Sequence, residues 1–89
     1  MFRIPKKRHP VTPGRVLQED FVEPLKLTQD ALAKALGVHR TTVNEILNDK
    51  RAVTSDMALR LGHVFRTSPA YWLGLQTAVD LYSAEHSEA

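Results

Sequence analysis

At 89 residues the chain has room for one domain, which buries roughly 60–65 % of its unfolded surface, so its core is modest and a partner copy is a reasonable addition. A hydrophobic fraction of 43 % and a charged fraction of 25 % exclude wholesale disorder, and the absence of Cys excludes disulfides, thiolate zinc sites and cysteine nucleophiles. The net charge of +2 is uneven: residues 1–16 carry Arg3, Lys6, Lys7, Arg8 and Arg15 with no acid, whereas residues 67–89 carry Asp80, Glu85 and Glu88 with no Lys or Arg.

Residues 1–11 read as a basic arm. Lys6-Lys7-Arg8-His9-Pro10 leads into no apolar stretch, so it is not a signal peptide, and no apolar run reaches the ~18 residues of a membrane span. A cytoplasmic location and no membrane partner are expected. Thr12-Pro13 sets a hydroxyl cap before a proline at the first helical position, where the missing N–H costs nothing. Helix 1 is predicted from Pro13 to Val22, burying Val16, Leu17 and Phe21. Pro24 is expected to end it, because the residue before a proline avoids the α region.

Thr28 caps helix 2, predicted from Gln29 to Leu36 with Leu32, Ala35 and Leu36 buried and Asp30 favouring the helix dipole. Helix 3 is predicted from Arg40 to Asn48, burying Val43, Ile46 and Leu47. Thr54 caps helix 4, Ser55 to Phe65, with Met57, Ala58, Leu61 and Phe65 inward. Ser68-Pro69 opens helix 5, Pro69 to Ala84, and residues 85–89 are expected to fray. No segment alternates apolar and polar residues long enough to form a strand. The expected fold is all-α: one five-helix domain over residues 1–89.

Helices 2 and 3 are joined by Gly37-Val38-His39, the right length for a sharp turn between two short helices. Gly37 suits the left-handed conformation that stops helix 2. Ala33 lies mid-helix, where a large side chain would keep helix 3 away. Gln-x-x-Leu-Ala-x-x-Leu-Gly-Val from Gln29 to Val38, followed by a polar amphipathic helix, is the signature of a helix-turn-helix.

Projected at ~100° per residue from Val43, helix 3 buries Ile46 and Leu47 and exposes Asn44, Asn48, Thr41 and Glu45, with Arg40 and Thr42 on the flanks. Short hydrogen-bonding side chains suit a major groove. Arg40 fits a guanine edge, Asn44 an adenine edge, Thr41 and Thr42 a thymine methyl or a phosphate, and Glu45 a cytosine amine. Gln29, Asn48, Lys50 and Arg51 are the expected phosphate contacts. Glu45 and Asp49 work against a phosphate surface. The four His residues, His9, His39, His63 and His86, show no i, i+4 pair, and no phosphate loop or nucleophile elbow is present. No enzyme, cofactor or metal site is expected.

At this point the stretch from His9 to Tyr82 resembles the HigA antitoxins within the Cro/XRE-type, lambda-repressor-like helix-turn-helix regulators. The resemblance lies in Pro13-Gly14-Arg15-Val16-Leu17, Leu27-Thr28-Gln29, Ala33-Lys34-Ala35-Leu36-Gly37-Val38, Thr54-Ser55-Asp56-Met57-Ala58-Leu59-Arg60-Leu61 and Ser68-Pro69-Ala70-Tyr71-Trp72-Leu73-Gly74-Leu75-Gln76. Two departures are His39, where a Ser cap is common, and the extra Val11-Thr12 before the Pro-Gly doublet. His39 caps poorly, so helix 3 is expected to start late. The resemblance implies a dimeric repressor of its own operon that also binds and silences a RelE-like toxin cutting messenger RNA. It also implies base or phosphate contact by Gln29, Arg40, Thr41, Thr42 and Glu45. A free-standing regulator, or a toxin-binding module without DNA binding, remains open.

Tyr71, Trp72, Leu75, Ala78, Val79 and Tyr82 form a ~120° stripe on helix 5 that can cover the core. Leu73 and Leu81 fall outside it and are the expected dimer or toxin contacts. A two-fold dimer would set paired recognition helices roughly 34 Å apart on an inverted repeat.

Overall fold

The structure, a computed structural model, describes residues 9–87. The arm cations Arg3, Lys6, Lys7 and Arg8 and the end of the expected frayed tail lie outside the described residues. Five helices and no strand are present among those described. Helix α1 runs in three continuous pieces: an α-helical turn at Pro13–Val16, a π-helical stretch at Leu17–Val22 and a last turn at Glu23–Leu25. Then come α2 (Gln29–Leu36), α3 (Arg40–Leu47), α4 (Ser55–Phe65) and α5 (Pro69–Glu85).

All four predicted hydroxyl caps form. The side-chain oxygens of Thr12, Thr28, Thr54 and Ser68 accept from the backbone N–H groups of Arg15, Ala31, Met57 and Ala70 at 3.0, 3.0, 3.2 and 3.0 Å. Each satisfies a donor that the first helical turn leaves without a partner.

Pro24 does not end α1. In a regular α-helix its ring would meet the carbonyl four residues back. The π-helical stretch widens the turn, so that the N–H of Glu23 bonds to the carbonyl of Gln18, five residues back. This makes room for the ring, and the helix continues to Leu25. Lys26 then takes a left-handed conformation with φ 54, and Leu27 N–H closes onto the Val22 carbonyl at 3.0 Å.

The core is built by Leu17, Leu32, Val43, Ile46, Leu61 and Trp72, all fully buried, and every helix contributes to it. Trp72 also donates through its indole N–H to the Thr67 hydroxyl at 2.7 Å and packs at a tilt of 47° against the Phe21 ring, 5.5 Å between centroids. One expectation of burial fails on α2. Ala35 is exposed, and the small residue sealing α2 against its neighbours is Ala33.

On α5 the buried strip is turned by roughly half a turn-step from the expected stripe. Tyr71 and Ala78 are exposed, and Leu73, expected outside, packs against the core. The cause is Gln76, which lies in line with Trp72 and Val79 and faces inward. Its Oε1 accepts from the backbone N–H of Val53 at 2.8 Å. Leu81 does lie on the outer side, 60 % exposed.

The two ends of the described chain meet at Tyr82, whose ring has His9 on it at 4.6 Å between centroids and His86 at 4.0 Å. Trp72→Ala is expected to cost about 3–5 kcal/mol in urea unfolding, through lost burial and the cavity left behind.

Candidate nucleic-acid interface

Helices α2 and α3 pack together around the turn at residues 37–39. Gly37 takes φ 72, a left-handed conformation that glycine adopts at no steric cost. Its N–H bonds to the Lys34 carbonyl at 3.2 Å, and Val38 N–H to the Ala33 carbonyl at 3.0 Å, which closes the end of α2.

A side chain from outside the pair holds this turn. Arg60, on α4, donates through Nη1 to the carbonyl oxygens of Leu36 at 2.9 Å and Gly37 at 3.3 Å. Asp56 steadies the same guanidinium through Nε at 2.8 Å. A cation at the carbonyl end of α2 also complements the helix dipole. Sequence reasoning named Arg60 only within a motif. The signal that could have found it is the i, i+4 spacing of Asp56 and Arg60 on a helix otherwise devoted to the core.

His39 makes no side-chain cap, as expected, yet α3 does not start late. The His39 carbonyl accepts from Thr42 and Val43 N–H at 3.0 and 3.3 Å, so the backbone opens the helix at Arg40. Val43 and Ile46, 0 % and 2 % exposed, set its rotation. Arg40, Thr41, Asn44 and Asn48 are consequently exposed, and Thr42 and Glu45 are half-buried at the edges.

The body is brought close behind α3 by Gly14. A side-chain carbon on Gly14 would collide with the Ile46 carbonyl oxygen, so only glycine lets α1 approach here.

The expected contact residues fall into two groups. Gln29 and Asn44 come together: the Gln29 Oε1 accepts from Asn44 Nδ2 at 3.2 Å, joining the start of α2 to the middle of α3. Asn48 donates back to the Asn44 carbonyl at 2.8 Å. The cations are more divided. Arg40 pairs with Asp30 at 3.5 Å, both largely exposed, which is a weak interaction. Arg51 pairs with Glu45 at 2.7 Å. Lys50 is exposed and forms no ion pair among the described residues.

Beyond α3 the chain turns sharply. Asp49 takes φ 60, its N–H bonds to the Ile46 carbonyl at 3.1 Å, and Lys50 N–H bonds to the Glu45 carbonyl at 2.8 Å. This is a Schellman closure with Asp in the left-handed position, which its short polar side chain tolerates. Gln76 holds the far end of the same loop at Val53, a second structural anchor that the apolar pattern hid because a polar side chain counts as outward.

Two short helices meeting at a glycine turn, the second set on the surface of a five-helix body, define a helix-turn-helix protein. The family model described as Helix-turn-helix matches residues 19–72. The chain is 46 % identical over 81 residues to an uncharacterized HTH-type transcriptional regulator of Haemophilus influenzae, covering 91 % of this chain and 76 % of the relative. It is 40 % identical over 80 residues to antitoxin HigA-1 of Vibrio cholerae, covering 90 % and 75 %. A solved structure of antitoxin GraA in complex with its operator superposes with a TM-score of 0.85 at 44 % identity, covering 96 % of this chain and 86 % of that one. The chain belongs to the Cro/XRE-type helix-turn-helix family, among the HigA antitoxins.

Arg60→Ala leaves two carbonyls at the turn without their charged donor. It is expected to cost about 1–2 kcal/mol in urea unfolding, discounted for partial exposure, and to speed hydrogen exchange at Gly37 and Val38.

Proposed function

We propose that this protein is an antitoxin that represses its own operon by binding operator DNA through α3, and that it also binds and neutralises a RelE-like, mRNA-cleaving toxin. The observation that carries the reading is the outward face of α3, where Arg40, Thr41 and Asn44 stand exposed beside the Gln29–Asn44 pair. An amide pair locked before binding loses less freedom on docking than two loose side chains. The operator-bound structure of antitoxin GraA supports the DNA half of the proposal.

Within this reading Arg40, Thr41, Thr42, Asn44 and Glu45 address base edges, and Gln29, Asn48 and Lys50 lie near phosphates, while Arg51, expected among them, is engaged by Glu45 instead. Lys50 is the best placed of the cations for a phosphate, since no carboxylate engages it among the described residues. A homodimer presents two copies of α3 to an inverted repeat about one turn, roughly 34 Å, apart. The partner copy or the toxin meets the outer side of α5 around Leu81. Leu73 is half-buried against the core and adds its remaining exposed side to that surface.

Two measurements test the function. A gel shift with the DNA upstream of its own gene should be salt-sensitive and specific; its absence leaves a protein-binding module only. Co-purification with the product of the adjacent reading frame should yield a small basic protein. A DNA shift without such a partner favours a free-standing regulator, the reading that fits the name of the Haemophilus relative.

At the residue level, Arg40→Ala should relax preference at one base pair by about 1–3 kcal/mol in duplex titrations. Equal weakening on every sequence would make Arg40 a phosphate contact. Lys50→Ala should weaken all duplexes alike and reduce the slope of log K against log salt by about 0.9. An unchanged slope rejects the phosphate role.

A further inference from the structure

A carboxylate on a face turned toward phosphates is repelled by them unless a nearby cation neutralises it. Glu45 has such a cation. Arg51 donates to one oxygen of Glu45, Oε1, through Nε at 2.8 Å, and its Nη2 lies 2.7 Å from the same oxygen. The other oxygen, Oε2, forms no hydrogen bond among the described residues.

The pairing is built into the backbone. Asp49 in its left-handed conformation reverses the chain after α3, and the bond from Lys50 N–H to the Glu45 carbonyl returns the loop alongside residue 45. Gln76 pins the loop two residues beyond Arg51, at Val53. Arg51 is therefore delivered to Glu45 from a loop anchored on both sides. The side chains are 52 % and 36 % exposed, so the pair adds little to stability and its value is geometric.

We infer that Arg51 is a positioning residue, which holds Glu45 so that its remaining oxygen accepts from the N4 amine of a cytosine in the major groove. The inference rests on the reading of α3 as the DNA-reading helix. Two bases offer an amine in that groove. The adenine amine is flanked by acceptors on both sides, its own N7 and the O4 of the paired thymine, which repel a carboxylate, whereas the cytosine amine has an acceptor on one side only, the O6 of the paired guanine. Arg51 supplies the charge that lets Glu45 approach between phosphates, and it engages the oxygen that the base does not need.

The test uses the full chain in selection from randomised duplexes, followed by titration of the selected duplex and its single-pair variants at several salt concentrations. Circular dichroism confirms that each variant is folded. The wild type is expected to select a C·G pair at one position. Glu45→Gln should lower discrimination there about tenfold. Arg51→Ala should reproduce that loss at the same pair, leave the preferences at other positions unchanged, add a uniform salt-sensitive weakening from the bared Glu45 carboxylate, and cause no further loss of discrimination when combined with Glu45→Gln.

If Arg51→Ala weakens every duplex alike and keeps full discrimination at the C·G pair, Arg51 is a phosphate contact and the inference is overturned. It is overturned equally if a selected site keeps all its preferences in Glu45→Gln. A wild type that selects no sequence removes the proposed function itself, and the inference with it.

Discussion

The burial of Val43 and Ile46 is the constraint on which the surface of this protein depends. An α-helix of eight residues has little stability of its own and takes its rotation from the apolar face that it buries. Once those two side chains are in the core, the exposure of Thr41, Asn44 and Asn48 follows from a 100° step. Gly14 then sets the depth at which α3 sits, by letting α1 meet the Ile46 carbonyl. The outward face is thus a product of apolar packing beneath it, and its polar residues are free to serve recognition rather than folding.

Packing alone leaves two loops loosely defined, and polar side chains from the second half of the chain define them. Arg60 holds the carbonyls where α2 gives way to α3. Gln76 holds Val53, after α3 has ended. The short helix is therefore fastened at both ends from α4 and α5, elements remote from it in sequence. This division suits a small domain: few apolar residues are available, and a well-placed charged or amide group fixes a loop with one or two bonds.

Much of this was legible in the sequence. The bounds of α2 and α4 and all four hydroxyl caps follow from local chemistry, because a cap and its apolar run lie within a few residues of one another. The residues of the outward face were legible for the same reason. Three things were not. Pro24 within a helix depends on a π-helical detour that no residue announces. The left-handed positions at Lys26, Asp49 and Arg66 lack the glycine that usually marks such an end. The rotation of α5 was misread because Gln76 is polar and inward, and its reason for pointing there is a backbone N–H more than twenty residues earlier. What escaped was in each case set by tertiary contact or backbone geometry rather than by neighbours in the chain.

The Gln76 amide also ties together two regions that the proposed function assigns to different partners. Its oxygen serves the loop that carries Lys50 and Arg51, while its nitrogen donates to Asp80 at 2.9 Å, one residue from the exposed Leu81. Any occupant of the outer side of α5 that draws this amide away strands the Val53 N–H, at a cost of about 1–3 kcal/mol. By reciprocity a ligand that stabilises the loop resists such an occupant by the same amount. One side chain thus sets the scale, about 5- to 150-fold in affinity, on which the two surfaces can influence each other by this route.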